Sequence, residues 1–271
     1  MKSTHTARRI VVPPVLLLSS ALCLWSMPAL AQARAQRLSD KDVKALIEQV
    51  DNGRDKFEGN LDGQFKGSTV RGSNSEVKVS GALQDYQDNT KKLKDRFTPD
   101  YSASAEVLTV LKQSNAIERF MQGAASTMKG RSEWDRQTEN LKRLAAAYGT
   151  TFPLPEGGTV RRMNDKETAA AAAAMASAAD RFKKELDKDK TLQKPEKDAA
   201  KKDVELLIDL ANDVKSRTGD GKLATGEMTQ LVAQTAKVQT FVAAHPPASM
   251  TNWESVQASL GKLKQAFGLE P

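Results

Sequence analysis

The spacing of hydrophobic residues predicts a chain built from amphipathic helices. Apolar residues recur at alternating intervals of three and four, which places them on one face of a helix. In the first half of the chain this pattern covers residues 38–61, about 81–97, 102–122 and 132–148. No stretch is a convincing strand; Val77 and Val79 are compatible with a short extended piece, but we expect them to lead into the second helix.

The same pattern occurs a second time along the chain. Identical residues recur at offsets of 125, 121 and 119 positions: Asp40/Asp165, Phe57/Phe182, Leu61/Leu186, Arg96/Arg217, Glu106/Glu227, Phe120/Phe241, Trp134/Trp253, Leu141/Leu260, Leu144/Leu263 and Gly149/Gly268. Short loops and seams of this spacing are typical of antiparallel bundles. We therefore predict an all-α fold of eight helices, an internally duplicated antiparallel four-helix bundle. One unit covers residues 38–149, the linker 150–163, and the other unit 164–268.

Helix starts and stops carry recognisable signals. Four pairs with a capping residue followed by an acidic residue three positions later predict helix starts: Ser39/Asp42, Ser132/Asp135, Asn164/Glu167 and Thr251/Glu254. Gly149 and Gly268 follow the last periodic residue of their helices and are expected to adopt a left-handed conformation.

Residues 1–31 have the pattern of an export signal. A basic start precedes an apolar run and a small-residue cleavage site at Ala31, with Ala33 and Ala35 as alternatives. No later stretch approaches the apolar length of a membrane-spanning helix. We therefore expect a periplasmic or secreted protein that lacks a transmembrane segment after processing.

Removal of the signal changes the composition. The signal contains three basic side chains and no acidic one, so the formal charge falls from +7 to +4. A mild excess of this kind does not favour nucleic-acid binding, which needs a concentrated basic face. Cys23 is also lost, which excludes disulfides, thiolate metal sites and thiol nucleophiles from the mature chain.

Two recurring pairs of charged residues are the first candidate site. Arg96 and Glu106 are separated by the same interval as Arg217 and Glu227. Buried glutamates of a bundle can hold metal ions, but such sites combine Glu with His three positions later, and that combination is absent here. We favour ion pairs that brace each helical hairpin.

Four aromatic residues are the second candidate. Trp134, Tyr148, Trp253 and Phe267 occupy seam positions in the last helix of each unit. An exposed tryptophan pair could bind a sugar or a partner, whereas seam positions favour the hydrophobic core, which is our expectation.

The segment from Ser216 to Glu227 resembles a calcium-binding EF-hand loop in part. Gly221 and Glu227 stand at the turn and bidentate positions, but Ser216 and Thr218 replace the carboxylates that calcium prefers. We favour a tight helix–helix turn and predict no metal and no cofactor.

Catalytic motifs are not evident. His245 is the one histidine after residue 31, and no phosphate-binding loop or nucleophile elbow occurs. We therefore expect a non-enzymatic exported protein that binds or scaffolds an envelope protein or polymer. The alternative is a bundle that binds a small ligand or metal, with its site between the units or in the Ser216–Glu227 loop.

Overall fold

The computed structural model describes residues 37–61, 69–71, 76–124, 128–246 and 250–269. Its eight helices are α1 (Asp40–Asn60), α2 (Val79–Arg96), α3 (Ser104–Gly123), α4 (Arg131–Ala147), α5 (Asp165–Lys188), α6 (Lys194–Gly219), α7 (Thr225–Ala244) and α8 (Thr251–Ala266). The proposed signal at residues 1–31 lies outside the described residues. None of the helices in the described ranges is long and apolar enough to cross a membrane.

A short hairpin between α1 and α2 is the one departure from helix among the described elements. Strands β1 (Thr69–Arg71) and β2 (Glu76–Lys78) pair in antiparallel fashion, with Val70 opposite Val77. The expectation that Val77 leads directly into the next helix is therefore wrong, because this residue belongs to β2. Val79, in contrast, is the first residue of α2.

The helices pack in sequence-adjacent antiparallel pairs. In the first half of the chain α1 contacts α2 and α4, α2 contacts α3, and α3 contacts α4. In the second half α5 contacts α6 and α8, and α6 contacts α7. Buried hydrophobic residues form two clusters, one drawn from residues 43–154 and the other from 171–267. The predicted all-α, eight-helix, antiparallel architecture is confirmed.

Each cluster contains a tryptophan packed against a phenylalanine. The rings of Phe57 and Trp134 have centroids 5.0 Å apart at an interplanar angle of 51°. Those of Phe182 and Trp253 are 5.2 Å apart at 45°. Each indole N–H donates to a side-chain oxygen on the preceding helix at a distance of 2.6 Å. Trp134 donates to Glu118, and Trp253 donates to Gln239.

The helix-start predictions have mixed outcomes. Ser39 caps α1 and Asn164 caps α5, the latter in a complete capping box with Glu167, as predicted. Ser132 is not a cap, because α4 begins one residue earlier, after Gly130, whose φ of 87° lets the chain turn sharply.

The last helix also begins earlier than predicted. Met250 is the N-cap of α8 and Thr251 is its first helical residue, so the predicted cap at Thr251 is wrong. The two stop signals are confirmed: Gly149 and Gly268 have φ values of 68° and 65° directly after the last turns of α4 and α8.

Candidate functional site

The two recurring charged pairs lie at equivalent helix ends. Arg96 Nη1 is 2.7 Å from Glu106 Oε1 and joins the end of α2 to the start of α3. The Tyr101 hydroxyl donates to the same glutamate at 3.0 Å. Arg217 Nε is 3.2 Å from Glu227 Oε1 and joins α6 to α7. In both hairpins the glutamate is used in a local ion pair.

The four predicted aromatic residues are all in the hydrophobic clusters. Trp134, Tyr148, Trp253 and Phe267 are each no more than 1% exposed. The Tyr148 hydroxyl donates to the Ser102 carbonyl oxygen at 2.5 Å, and burial raises the pKa of this phenol. None of the four presents a ring to solvent.

The Ser216–Glu227 segment is shaped as a helix end followed by a turn. Ser216 and Thr218 lie in the last turn of α6, and the Thr218 hydroxyl donates to the Val214 carbonyl oxygen at 2.7 Å. Within the part of the chain that the structure describes, no group of three or more His, Cys, Asp or Glu side chains could hold a metal ion.

The first half contains a buried polar network that the sequence analysis did not predict. Gln137 Nε2 donates to the Val50 carbonyl oxygen at 2.9 Å and to the Tyr86 hydroxyl at 2.6 Å. Burial, opposed by hydrogen bonds with Ser114 and Gln137, raises the pKa of Tyr86. A polar residue in an apolar seam was the available signal, since Gln137 stands between Trp134 and Leu141 in the α4 stripe.

A cluster of charged side chains joins α1 to α2. Arg54, which is 4% exposed, lies 3.0 Å from Asp51 and 2.8 Å from Asp55. Lys94 on α2 reaches the other Asp51 oxygen at 3.0 Å. Burial favours the neutral acid, but the hydrogen bonds from Arg54 and Lys94 outweigh it and lower the pKa of Asp51.

A surface groove lies between α3 and residues 153–158, here called the α3 groove, with a volume of about 810 Å³. Its helical wall consists of Lys112, Asn115, Glu118, Arg119 and Gln122. Its other wall is anchored firmly, because the Asn115 amide donates to the Leu154 carbonyl oxygen at 2.7 Å and accepts from the Leu154 N–H at 2.8 Å. Leu154 itself is buried in the first cluster.

The starts of α1 and α5 meet at a cluster of four charged side chains, here called the junction: Arg37, Asp40, Arg162 and Asp165. Asp40 accepts from the Asp165 backbone N–H, and Asp165 accepts from the Asp40 N–H, both at 2.9 Å. Arg37 pairs with Asp165 at 2.5 Å and Arg162 with Asp40 at 2.7 Å. Each half therefore supplies a carboxylate that accepts from the first backbone N–H of the first helix of the other half.

Comparison of the chain with protein-family models, with curated proteins and with solved structures gives no match.

Proposed function

We propose that this protein is an exported, non-enzymatic helical bundle that binds or scaffolds an envelope protein or polymer through the α3 groove. The observation that carries the proposal is the groove itself: an open, polar concavity with one wall on a helix and the other pinned by the two hydrogen bonds of Asn115. A site on rigid walls loses little entropy when a partner binds.

The dimensions of the groove suit a length of chain. Lys112 and Gln122 are ten residues apart on α3, which corresponds to about 15 Å along the helix. An extended segment of four or five residues spans this distance. Lys112 and Arg119 on one wall, with Glu156 on the other, provide charges of both signs for recognition.

The second half differs at the matching positions. Residues 121 positions after the helical wall are Ala233, Ala236, Gln239, Thr240 and Ala243, which carry no charge. The groove chemistry is therefore a property of the first half, and the second half offers matched control positions.

We further propose that the two halves are copies of one four-helix unit. Support comes from contacts that recur at the sequence offsets. These are the Phe–Trp ring pair, the Arg–Glu ion pair between the second and third helices of each half, and the reciprocal hydrogen bonds of Asp40 and Asp165. An experimental structure in which the halves pair their helices in different orders would contradict this.

Export is proposed from the residue pattern of positions 1–31. Amino-terminal sequencing of the protein recovered from the envelope fraction should give Gln32, Arg34 or Gln36 as the first residue. A chain that retains Met1 in that fraction would contradict processing at these sites.

The partner proposal is tested by charge reversal in the groove. Lys112→Glu/Arg119→Glu should abolish capture of a partner from envelope extract, because both basic groups of the helical wall change sign. The control Ala233→Glu/Thr240→Glu introduces two acidic residues at the corresponding positions of α7 and should capture the partner as the parent does. Both variants should melt like the parent, since all four positions are exposed.

Equal capture by the two variants would contradict the groove as the binding surface. Two treatments of the extract separate the kinds of partner. Capture that is lost only after glycan-degrading treatment would identify a polymer, and capture that is lost only after protease treatment would identify a protein.

A second candidate function, small-ligand binding, is favoured by one observation. A cleft beside the junction has three arginines among its lining residues.

A further inference from the structure

The junction cleft lies between the last turns of α4 and α8 and the two segments that enter α1 and α5, and it has a volume of about 40 Å³. Its lining contains Arg37, Arg161 and Arg162 and no acidic side chain. The remaining lining residues are Gln265 and small or apolar residues, among them the two stop residues Gly149 and Gly268.

Both aspartates of the junction already have hydrogen-bond and ion-pair partners. Asp40 and Asp165 each bind one guanidinium group and one backbone N–H of the opposite helix. These contacts balance the charges of Arg37 and Arg162, one carboxylate to each. The charge of Arg161 remains, because among the described residues no carboxylate pairs with its exposed side chain.

Of the two buried arginines of the cleft, Arg37 is less fully hydrogen-bonded than Arg162. Its side chain is 5% exposed, and its Nη2 atom makes both the contact with Asp165 and a 3.3 Å hydrogen bond to the Met163 carbonyl oxygen. Its buried Nε atom has no hydrogen-bond partner. A buried N–H of a charged group without an acceptor is costly, so an acceptor in the cleft would recover free energy. Burial also lowers the pKa of Arg37, because desolvation disfavours its charged form.

We propose that the junction cleft binds a small oxyanion, a carboxylate or phosphate group, through Arg37 and Arg161 with Arg162 beside them. The planar fork of a guanidinium group matches two oxygens of either anion. The volume exceeds the 10–15 Å³ or so that one water needs, and is far below the roughly 300 Å³ of a site for a whole drug-sized ligand. The cleft therefore accommodates one anionic group, either free or at the end of a larger molecule.

This site is separate from the α3 groove and does not depend on the proposed partner. The Lys112→Glu/Arg119→Glu variant should bind the anion as the parent does. Failure of one proposal is thus distinguishable from failure of the other.

The test uses the mature full-length chain with inorganic phosphate and, in a second arm, acetate, each against sodium chloride at equal ionic strength. Calorimetric titration and thermal melting should show binding and stabilisation by the oxyanions beyond the chloride control. Arg161→Gln should weaken binding about tenfold or more, because one charge-assisted contact is lost without disturbing the buried pairs. The control Arg136→Gln removes an exposed arginine of α4 and should bind like the parent.

The two arms separate the sources of the anion. Binding of phosphate alone identifies a phosphoryl group, and binding of acetate alone identifies a carboxylate; either supports the site. Oxyanions that act no differently from chloride would overturn the proposal. So would equal losses in Arg161→Gln and Arg136→Gln, since the effect would then be one of net charge.

Discussion

Gly53 on α1 and Gln137 on α4 approach so closely that no side chain fits between them. A Cβ atom placed on residue 53 would lie 2.1 Å from Oε1 of Gln137. The Gln137 amide cannot move away cheaply, because its nitrogen binds Val50 and Tyr86 in the buried network. Glycine at this seam position is therefore required by packing, although it costs helix propensity.

Gly53→Ala should destabilise the protein by about 1–3 kcal/mol, the usual range for overpacking, measured by chemical denaturation. In the second half, Ala178 corresponds to Gly53 and Val256 corresponds to Gln137, at offsets of 125 and 119. This pair combines the larger alanine with a valine, which is shorter than glutamine and apolar. Gly53→Ala/Gln137→Val should therefore be less destabilised than the sum of its single substitutions.

Gly59 is the matched control on the same helix. A Cβ at this position meets nothing within 4 Å. Gly59→Ala should be neutral or stabilise by up to about 1 kcal/mol through helix propensity. Equal effects at Gly53 and Gly59 would show that the Gln137 contact does not govern stability.

Trp253→Ala should lower the free energy of unfolding by about 3–5 kcal/mol, because it removes a buried ring and leaves a cavity beside Phe182. Thermal melting followed by circular dichroism would measure the loss. A variant that melts like the parent but no longer captures the envelope partner would instead assign the indole to recognition.

Acid stability should depend on Asp51. The folded pKa of this carboxyl lies below its unfolded value, so its contribution is present above the unfolded pKa of about 3.9 and is lost as the pH falls through the folded pKa. Asp51→Asn should therefore reduce the difference in unfolding free energy between pH 7 and pH 3. Asp88→Asn, an exposed change on α2, should leave the difference as it is in the parent.

Removal of one charge should lower the free energy of unfolding far more at the junction than at an exposed ion pair between the same two halves. Arg162→Met leaves the buried Asp40 carboxylate without its guanidinium and should cost about 3–5 kcal/mol. Lys166→Met breaks the ion pair with Asp100, in which the two side chains are 78% and 73% exposed, and should leave the free energy of unfolding almost unchanged.

The loss in Arg162→Met should shrink on acidification. Burial, partly offset by its hydrogen bond and ion pair, raises the folded pKa of Asp40 above its ordinary value. Because the folded pKa is raised, protonation of Asp40 stabilises the folded state. This contribution to stability is lost as the pH rises through the folded pKa. Unfolding measured at pH 5 and pH 7.5 would show this, and an unchanged or larger loss at pH 5 would contradict it.

Local pattern was enough to predict the eight helices and their antiparallel packing. The intervals of three and four residues define one apolar face per helix, and a helix with one apolar face is stable only when that face packs on another. The caps Ser39 and Asn164 and the stops Gly149 and Gly268 were also readable, because each acts within about four residues of its own position.

Contacts between distant residues were decided by the tertiary structure. Gln137 was visible as a polar residue in an apolar seam, but its partners Val50 and Tyr86 are 87 and 51 residues away along the chain. The exchange between Asp40 and Asp165, and the cleft of three arginines beside it, depend on how two helix starts 125 residues apart are brought together. Periodicity determines which face of a helix is buried, whereas the pairing of polar groups depends on distances and directions that only the packed chain establishes.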